Sequence, residues 1–236
     1  MPLYELFCGL TTSLIVSPVM TLIDSAVIKS QLENKKFTKT LHEITKDYAY
    51  NKSNFMRPFG IMYFVYASTY CTANLSQFYC EKYNHNKNIS LFSTSIVNIC
   101  CIVYKDREYT KIFNSSPKIF PKISYGLFAL RDTLTIFSTF IIKKDCIHLL
   151  DKYMPHNTAD LLSSFSLPIL CQVISTPIHI LSIDFYNNPN SSLKERIKNI
   201  RTQYKSICLG RVIRVLPAFC VGGFINDMLR NRNKLN

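Results

Sequence analysis

Four stretches of the chain, 6–23, 58–80, 88–104 and 161–183, carry no charged residue when His179 is counted as neutral. A helix needs roughly 17–25 mainly apolar residues to cross a bilayer, and all four fall in that range. Two further stretches are interrupted. Residues 123–142 are apolar except for the adjacent Arg131 and Asp132, and residues 215–226 follow Arg211 and Arg214. Charged groups inside a membrane bundle face its interior or an aqueous cavity. Ser, Thr, Asn, Gln and Tyr are scattered through every stretch, which suits helices with one face on a polar interior. The pattern therefore predicts six transmembrane helices.

The connections repeat. Phe37, Leu41, Ile44 and Tyr48 form one stripe of a short amphipathic helix, and Leu193, Ile197, Ile200 and Tyr204 have the same spacing. Each stripe follows a span, and each is followed within ten residues by an arginine (Arg57, Arg214) leading into the next. Matched spacing at two distant places indicates a repeat of span, surface helix and span. The middle connection contains Ser115, Ser116, Pro117 and Pro121, which disfavour a full surface helix. The expected fold is an all-α membrane protein of three helical hairpins at about 1–86, 87–151 (shortened) and 152–236. Surface helices are expected in the first and third.

Composition refines this picture. The 236 residues include 28 Lys and Arg against 15 Asp and Glu, a formal charge of +13, with 47% apolar and 18% charged residues. That balance excludes a disordered chain. The basic residues gather in the connections (Lys35, Lys36, Lys39, Lys46, Lys52, then Lys194, Arg196, Lys198, Arg201), where membrane lipids with anionic headgroups are the expected partner. No aromatic platform accompanies them, so no nucleic-acid partner is expected. The nine cysteines form no C-x-x-C pair and read as small buried apolar residues. No basic leader precedes Glu5, which predicts internal targeting. Catalytic and metal-ligand spacings are absent, so neither an enzyme nor a metal site is expected. No cofactor is expected beyond a bound anionic lipid such as cardiolipin.

Three hairpins with surface helices resemble the mitochondrial carrier family, and short motifs carry that resemblance. The family's Pro-x-acid-x-x-base-x-base motif is similar to Leu22-Ile23-Asp24 with Val27, Lys29 and Gln31. It is similar also to the stretch from Tyr104 through Asp106 and Tyr109 to Lys111, and to Pro177-Ile178-His179 with Ser182. Arg211, Arg214 and Pro217 resemble the sixth-helix Arg-x-x-Arg-x-x-Pro. Asp227 and Arg230 resemble the opposite gate, with Asn226 in the aromatic place. Arg131-Asp132 is similar to the substrate pair of amino-acid carriers. The resemblance implies the mitochondrial inner membrane, and substrate contacts at Arg131, Asp132 and Arg214 in a transporting member.

The departures from the family bear on function. Every first-position gate base is replaced (Val27, Tyr109, Ser182), and Lys29 and Lys111 lie two residues further on, about 200° around a helix. Two hinge prolines are missing and glycines number only six. These losses favour a non-transporting structural or accessory subunit of a mitochondrial membrane complex. The alternative is a divergent carrier exchanging a small charged, amino-acid-like metabolite by alternating access.

Overall fold

The computed structural model describes residues 1–114, 119–138 and 142–232. All regular structure among them is helical: α1 Pro2–Leu32, α2 Phe37–Tyr50, α3 Lys52–Lys82, α4 Lys87–Phe113, α5 Lys122–Phe137, α6 Lys143–Leu150, α7 His156–Asn187, α8 Leu193–Ile213 and α9 Gly222–Arg232. A π-helical segment, Leu216–Val221, joins α8 to α9. The Ser115-Ser116-Pro117 turn lies outside the described residues.

Polarity is inverted relative to a water-soluble bundle. Thr12, Ser13, Ser17, Thr21 and Asp24 on α1 are buried, while Leu10, Leu14, Ile15 and Val19 on its other face are exposed. Two of these hydroxyls return their hydrogens to the helix, Ser13 to the Gly9 carbonyl and Thr21 to that of Ser17, both at 2.7 Å. Outward-facing Leu, Ile and Phe also mark α4, α7 and the π segment. An apolar exterior over a polar interior is the pattern of a bundle that sits in lipid.

Among the described residues four helical stretches are long and apolar enough to cross a membrane: Pro2–Leu32, Asn88–Phe113, His156–Asn187 and the run Leu193–Arg230. The expected count was six. The 58–80 window is the helix α3, but its Tyr, Ser, Thr and Asn content lowers its hydropathy below theirs. Within the 123–142 window α5 runs to Phe137, residues 139–141 lie outside the described residues, and α6 starts just beyond it at Lys143.

The surface helices also differ from expectation. α2 buries Phe37, Thr40, Ile44 and Tyr48, with Leu41 half-buried, as its stripe requires. Tyr48 donates to Ser25 Oγ on α1 at 2.8 Å, and burial pushes its phenol up to about 12. The second stripe is instead the first half of α8. Leu193 and Ile197 are exposed, while Ile200 and Tyr204 pack against the cluster of Ile23, Val27, Phe37, Ile180 and Ile207. No proline interrupts 193–213, and the Ser192–Glu195 capping box starts the helix firmly. One glycine, at about 1 kcal/mol, cannot break it.

Neighbouring helices touch in the order α1, α3, α4, α5, α7 and α8, and both α8 and α9 return to α1, so the chain closes a ring. Gly210 permits the α8–α1 approach: a Cβ there would lie 2.7 Å from the Phe37 ring and from a Val27 methyl. A Cβ on Gly126 meets nothing within 4 Å. Gly210→Ala is expected to destabilise the bundle by about 1–3 kcal/mol through overpacking. Gly126→Ala should be neutral or gain up to about 1 kcal/mol. Thermal unfolding of the two variants in detergent distinguishes the positions, and equal behaviour would refute the close packing.

Candidate functional site

The ring interior holds a chain of buried charges. Asp24 of α1 and Asp106 of α4 share the Lys105 ammonium, which pairs with Asp24 and lies 2.8 Å from Asp106 Oδ1. Arg131 of α5 approaches Asp106 Oδ2 at 2.7 Å. Its Nε and NH2 donate to the two oxygens of Asp132 at 2.8 and 2.7 Å. Arg214, after α8, donates to Asp24 Oδ1 at 3.3 Å. Arg131 NH1 lies 2.8 Å from His179 Nδ1 on α7. Arginine has no acceptor, so His179 Nδ1 must accept and the neutral ring carries its proton on Nε2. Phe128 lies under the guanidinium, 5.1 Å from ring centre to Arg131 Cζ.

Beside these charges is a cavity of about 270 Å³, lined by Tyr66, Tyr70 and Asn98 together with Arg131, Asp132, Gln172, Arg211 and Arg214. Ligand pockets generally run from roughly 300 Å³ upward, so this one suits a small metabolite. Arg211 is 2% exposed, and its NH2 donates to Gln172 Oε1 at 2.6 Å and Ser175 Oγ at 2.9 Å.

A second polar layer closes the ring at the other end of α1. Arg230 pairs with Glu5 at 2.7 Å and donates to Gln77 Oε1 at the same distance. Asn74 and Asn226 exchange two amide hydrogen bonds of 2.9 Å, and Tyr4 donates to the Leu229 carbonyl. Asp24 and Glu5 are 19 residues apart on one helix, which at 1.5 Å per residue is about 28 Å. That separation is close to the thickness of a bilayer's hydrocarbon core.

The sequence-derived residues thus divide. Arg131, Asp132 and Arg214 line one cavity, and Asp24, Asp106 and His179 belong to the charge chain beneath it. Gln31 donates to the Ile180 carbonyl at 2.8 Å, joining α1 to α7, and Pro177 sits inside α7 two residues before His179. Lys29 pairs with Glu33 and Lys111 with Glu108, both away from the site. Asp227 is exposed, and Arg230 takes Glu5 as its ion-pair partner. The expectation that no base compensates the gate acids is overturned by Lys105. The motif spacing places a base three residues after the acid, whereas this one immediately precedes Asp106. Arg211 and Glu5 are likewise site residues that the motifs did not single out for these roles. Among the described residues no cluster of His, Cys, Asp and Glu could hold a metal ion.

Removing Lys105 would leave two buried carboxylates short of a cation. Lys105→Ala is expected to cost about 3–5 kcal/mol, and adding Asp24→Asn should recover part of that loss. A double-mutant cycle read by unfolding in detergent measures the coupling, and strict additivity would refute it.

The family model for the probable citrulline exporters matches residues 8–234. A comparison with curated proteins finds no match. No mitochondrial carrier model matches, so the carrier resemblance, resting on short degenerate motifs, is corrected by a match over nearly the full length. The chain belongs to the probable citrulline exporter family.

Proposed function

We propose that the protein exports a small amino-acid zwitterion, with citrulline as the leading substrate, through the cavity at the centre of its helical ring. The observation that carries this reading is the pairing of guanidinium and carboxylate groups in one small cavity enclosed by polar layers above and below. A zwitterion presents the complementary pair, a carboxylate and an ammonium about one amino-acid backbone apart. Membership of an exporter family favours this over the structural-subunit expectation, whose main motive, the loss of gate bases, is answered by Lys105. It also favours transport over catalysis.

In this reading the ring comprises three hairpins, about 1–86, 87–151 and 152–236, and transport opens one polar layer at a time. Closed adjacency of α1, α3, α4, α5, α7 and α8 supports the hairpin order. The mitochondrial inner membrane loses the carrier resemblance that recommended it, and residence there is a matter for fractionation.

Purified protein reconstituted into liposomes should exchange external labelled citrulline for internal citrulline well above empty vesicles. Asp132→Ala should reduce the exchange at least tenfold while the variant still inserts. A protein that exchanges no amino acid, yet migrates on native gels only within a larger assembly, would restore the structural-subunit reading.

A further inference from the structure

The three cavity arginines are not equivalent. Arg131 is saturated, with Nε, NH1 and NH2 all engaged by Asp132, His179 and Asp106. Arg214 is committed to Asp24. Arg211 has no carboxylate partner among the described residues. Its NH2 is held by two neutral oxygens, and its Nε and NH1 are buried without a hydrogen-bond acceptor among the described residues. A buried guanidinium positioned by neutral groups but not neutralised carries a large desolvation cost, which an incoming anion removes.

The charge count points the same way. The cavity and the chain beside it hold four cations, Lys105, Arg131, Arg211 and Arg214, against three carboxylates, Asp24, Asp106 and Asp132. The carboxylates are distributed among Lys105, Arg131 and Arg214, so the surplus positive charge resides on Arg211. We propose that Arg211 anchors the substrate's α-carboxylate and that its surplus charge restricts the site to amino acids whose side chains carry no positive charge. This rests on the transport reading and narrows its substrate class.

The substrate ammonium then faces Asp132, the cavity carboxylate, whose oxygens have acceptor capacity beyond the bonds from Arg131. A zwitterion seated in this way leaves the net charge of the site unchanged. The side chain extends among Tyr66, Tyr70, Thr69 and Asn98, which are polar and uncharged. Amide and ureido groups find hydrogen-bonding partners there, whereas a side-chain ammonium or guanidinium meets no second carboxylate among the described lining residues and adds a second uncompensated charge. In a site sheltered from water, like-charge repulsion at several ångströms is enough for discrimination on the order of tenfold or more.

The test is competition against labelled citrulline exchange in proteoliposomes, using glutamine as the neutral competitor and ornithine and arginine as cationic ones. Glutamine should inhibit at concentrations at least tenfold lower than ornithine or arginine. Arg211→Gln should weaken citrulline exchange and narrow the gap between neutral and cationic competitors, while Arg211→Lys should preserve the gap. If Arg211→Gln fails to insert, the wild-type competition decides alone. Ornithine or arginine inhibiting as well as glutamine would overturn the proposal while leaving transport intact. An unchanged gap in a transporting Arg211→Gln protein would also overturn it. Absence of exchange of any amino acid by the wild type would sink the transport reading and this proposal with it.

Discussion

The helical ring depends on how Asp24, Asp106 and Asp132 are compensated away from water. Each lies at or near a position where two helices meet, and each is satisfied by a cation from another residue: Lys105 between Asp24 and Asp106, Arg131 between Asp106 and Asp132, and Arg214 on Asp24. Sliding α1 or α4 along its axis by one residue would separate carboxylates from cations in low dielectric. Such pairs add little net stability over an apolar core, since desolvation offsets their attraction, but breaking one is costly. Their effect here is to fix register. The level of the charges on α1, α4, α5 and the α8 end sets where the helices cross, and the cavity occupies the space beside that level.

The layer at Glu5 has different chemistry. Apart from the Glu5–Arg230 pair, it is held by neutral bonds among Asn74, Asn226, Gln77, Tyr4 and the Leu229 carbonyl. Neutral amide bonds exchange for water at a small net cost, typically about 1 kcal/mol each. Buried ion pairs do not. The two ends of the cavity are therefore closed by contacts of unequal strength. The π-helical segment lies between them, joining the part of the chain that carries Arg211 and Arg214 to the part that carries Asn226 and Arg230. Tyr70, which lines the cavity, donates to the Ala218 carbonyl within that segment, and a Cβ on Gly222 would collide with its hydroxyl. The cavity wall and the weaker layer thus share one irregular stretch of backbone, a feature common at functional sites.

The uncharged windows located α1, α4 and α7 because lipid contact demands apolar residues over a fixed length, and length is directly readable. The stripe at Phe37, Ile44 and Tyr48 located α2 for a similar reason. The site was legible only where charge interrupted an apolar run: Arg131, Asp132 and Arg214 were conspicuous for that reason, and they do line one cavity. Lys105 was hidden in plain view beside Asp106. Motif spacing assumes a base aligned along the helix with its acid, while a four-carbon stem lets an adjacent lysine reach the acid and a neighbouring helix together. Glu5 and Arg230 are 225 residues apart, and no local pattern joins them. The second amphipathic stripe misled for the opposite reason. Spacing defines a face, but whether that face ends in a turn or continues into a longer helix depends on the next ten residues.

The low hydropathy of α3 follows from its two-sided environment. Phe64 is exposed on the outside of the ring, while Tyr66, Thr69 and Tyr70 line the cavity and Asn74 is buried in the Glu5 layer. A helix with apolar residues on its outer face and a hydrogen-bonding cavity on its inner one cannot score as uniformly apolar. Its polar groups gather on the inner face, and aromatic hydroxyls combine large apolar area with a single polar tip. An inward polar face likewise accounts for the interrupted apolarity of α5, whose Arg131 and Asp132 are buried and ion-paired inside the ring. Low mean hydropathy in α3 and α5 therefore marks the elements that matter most to the cavity, because the residues that make an element polar are those that shape the site.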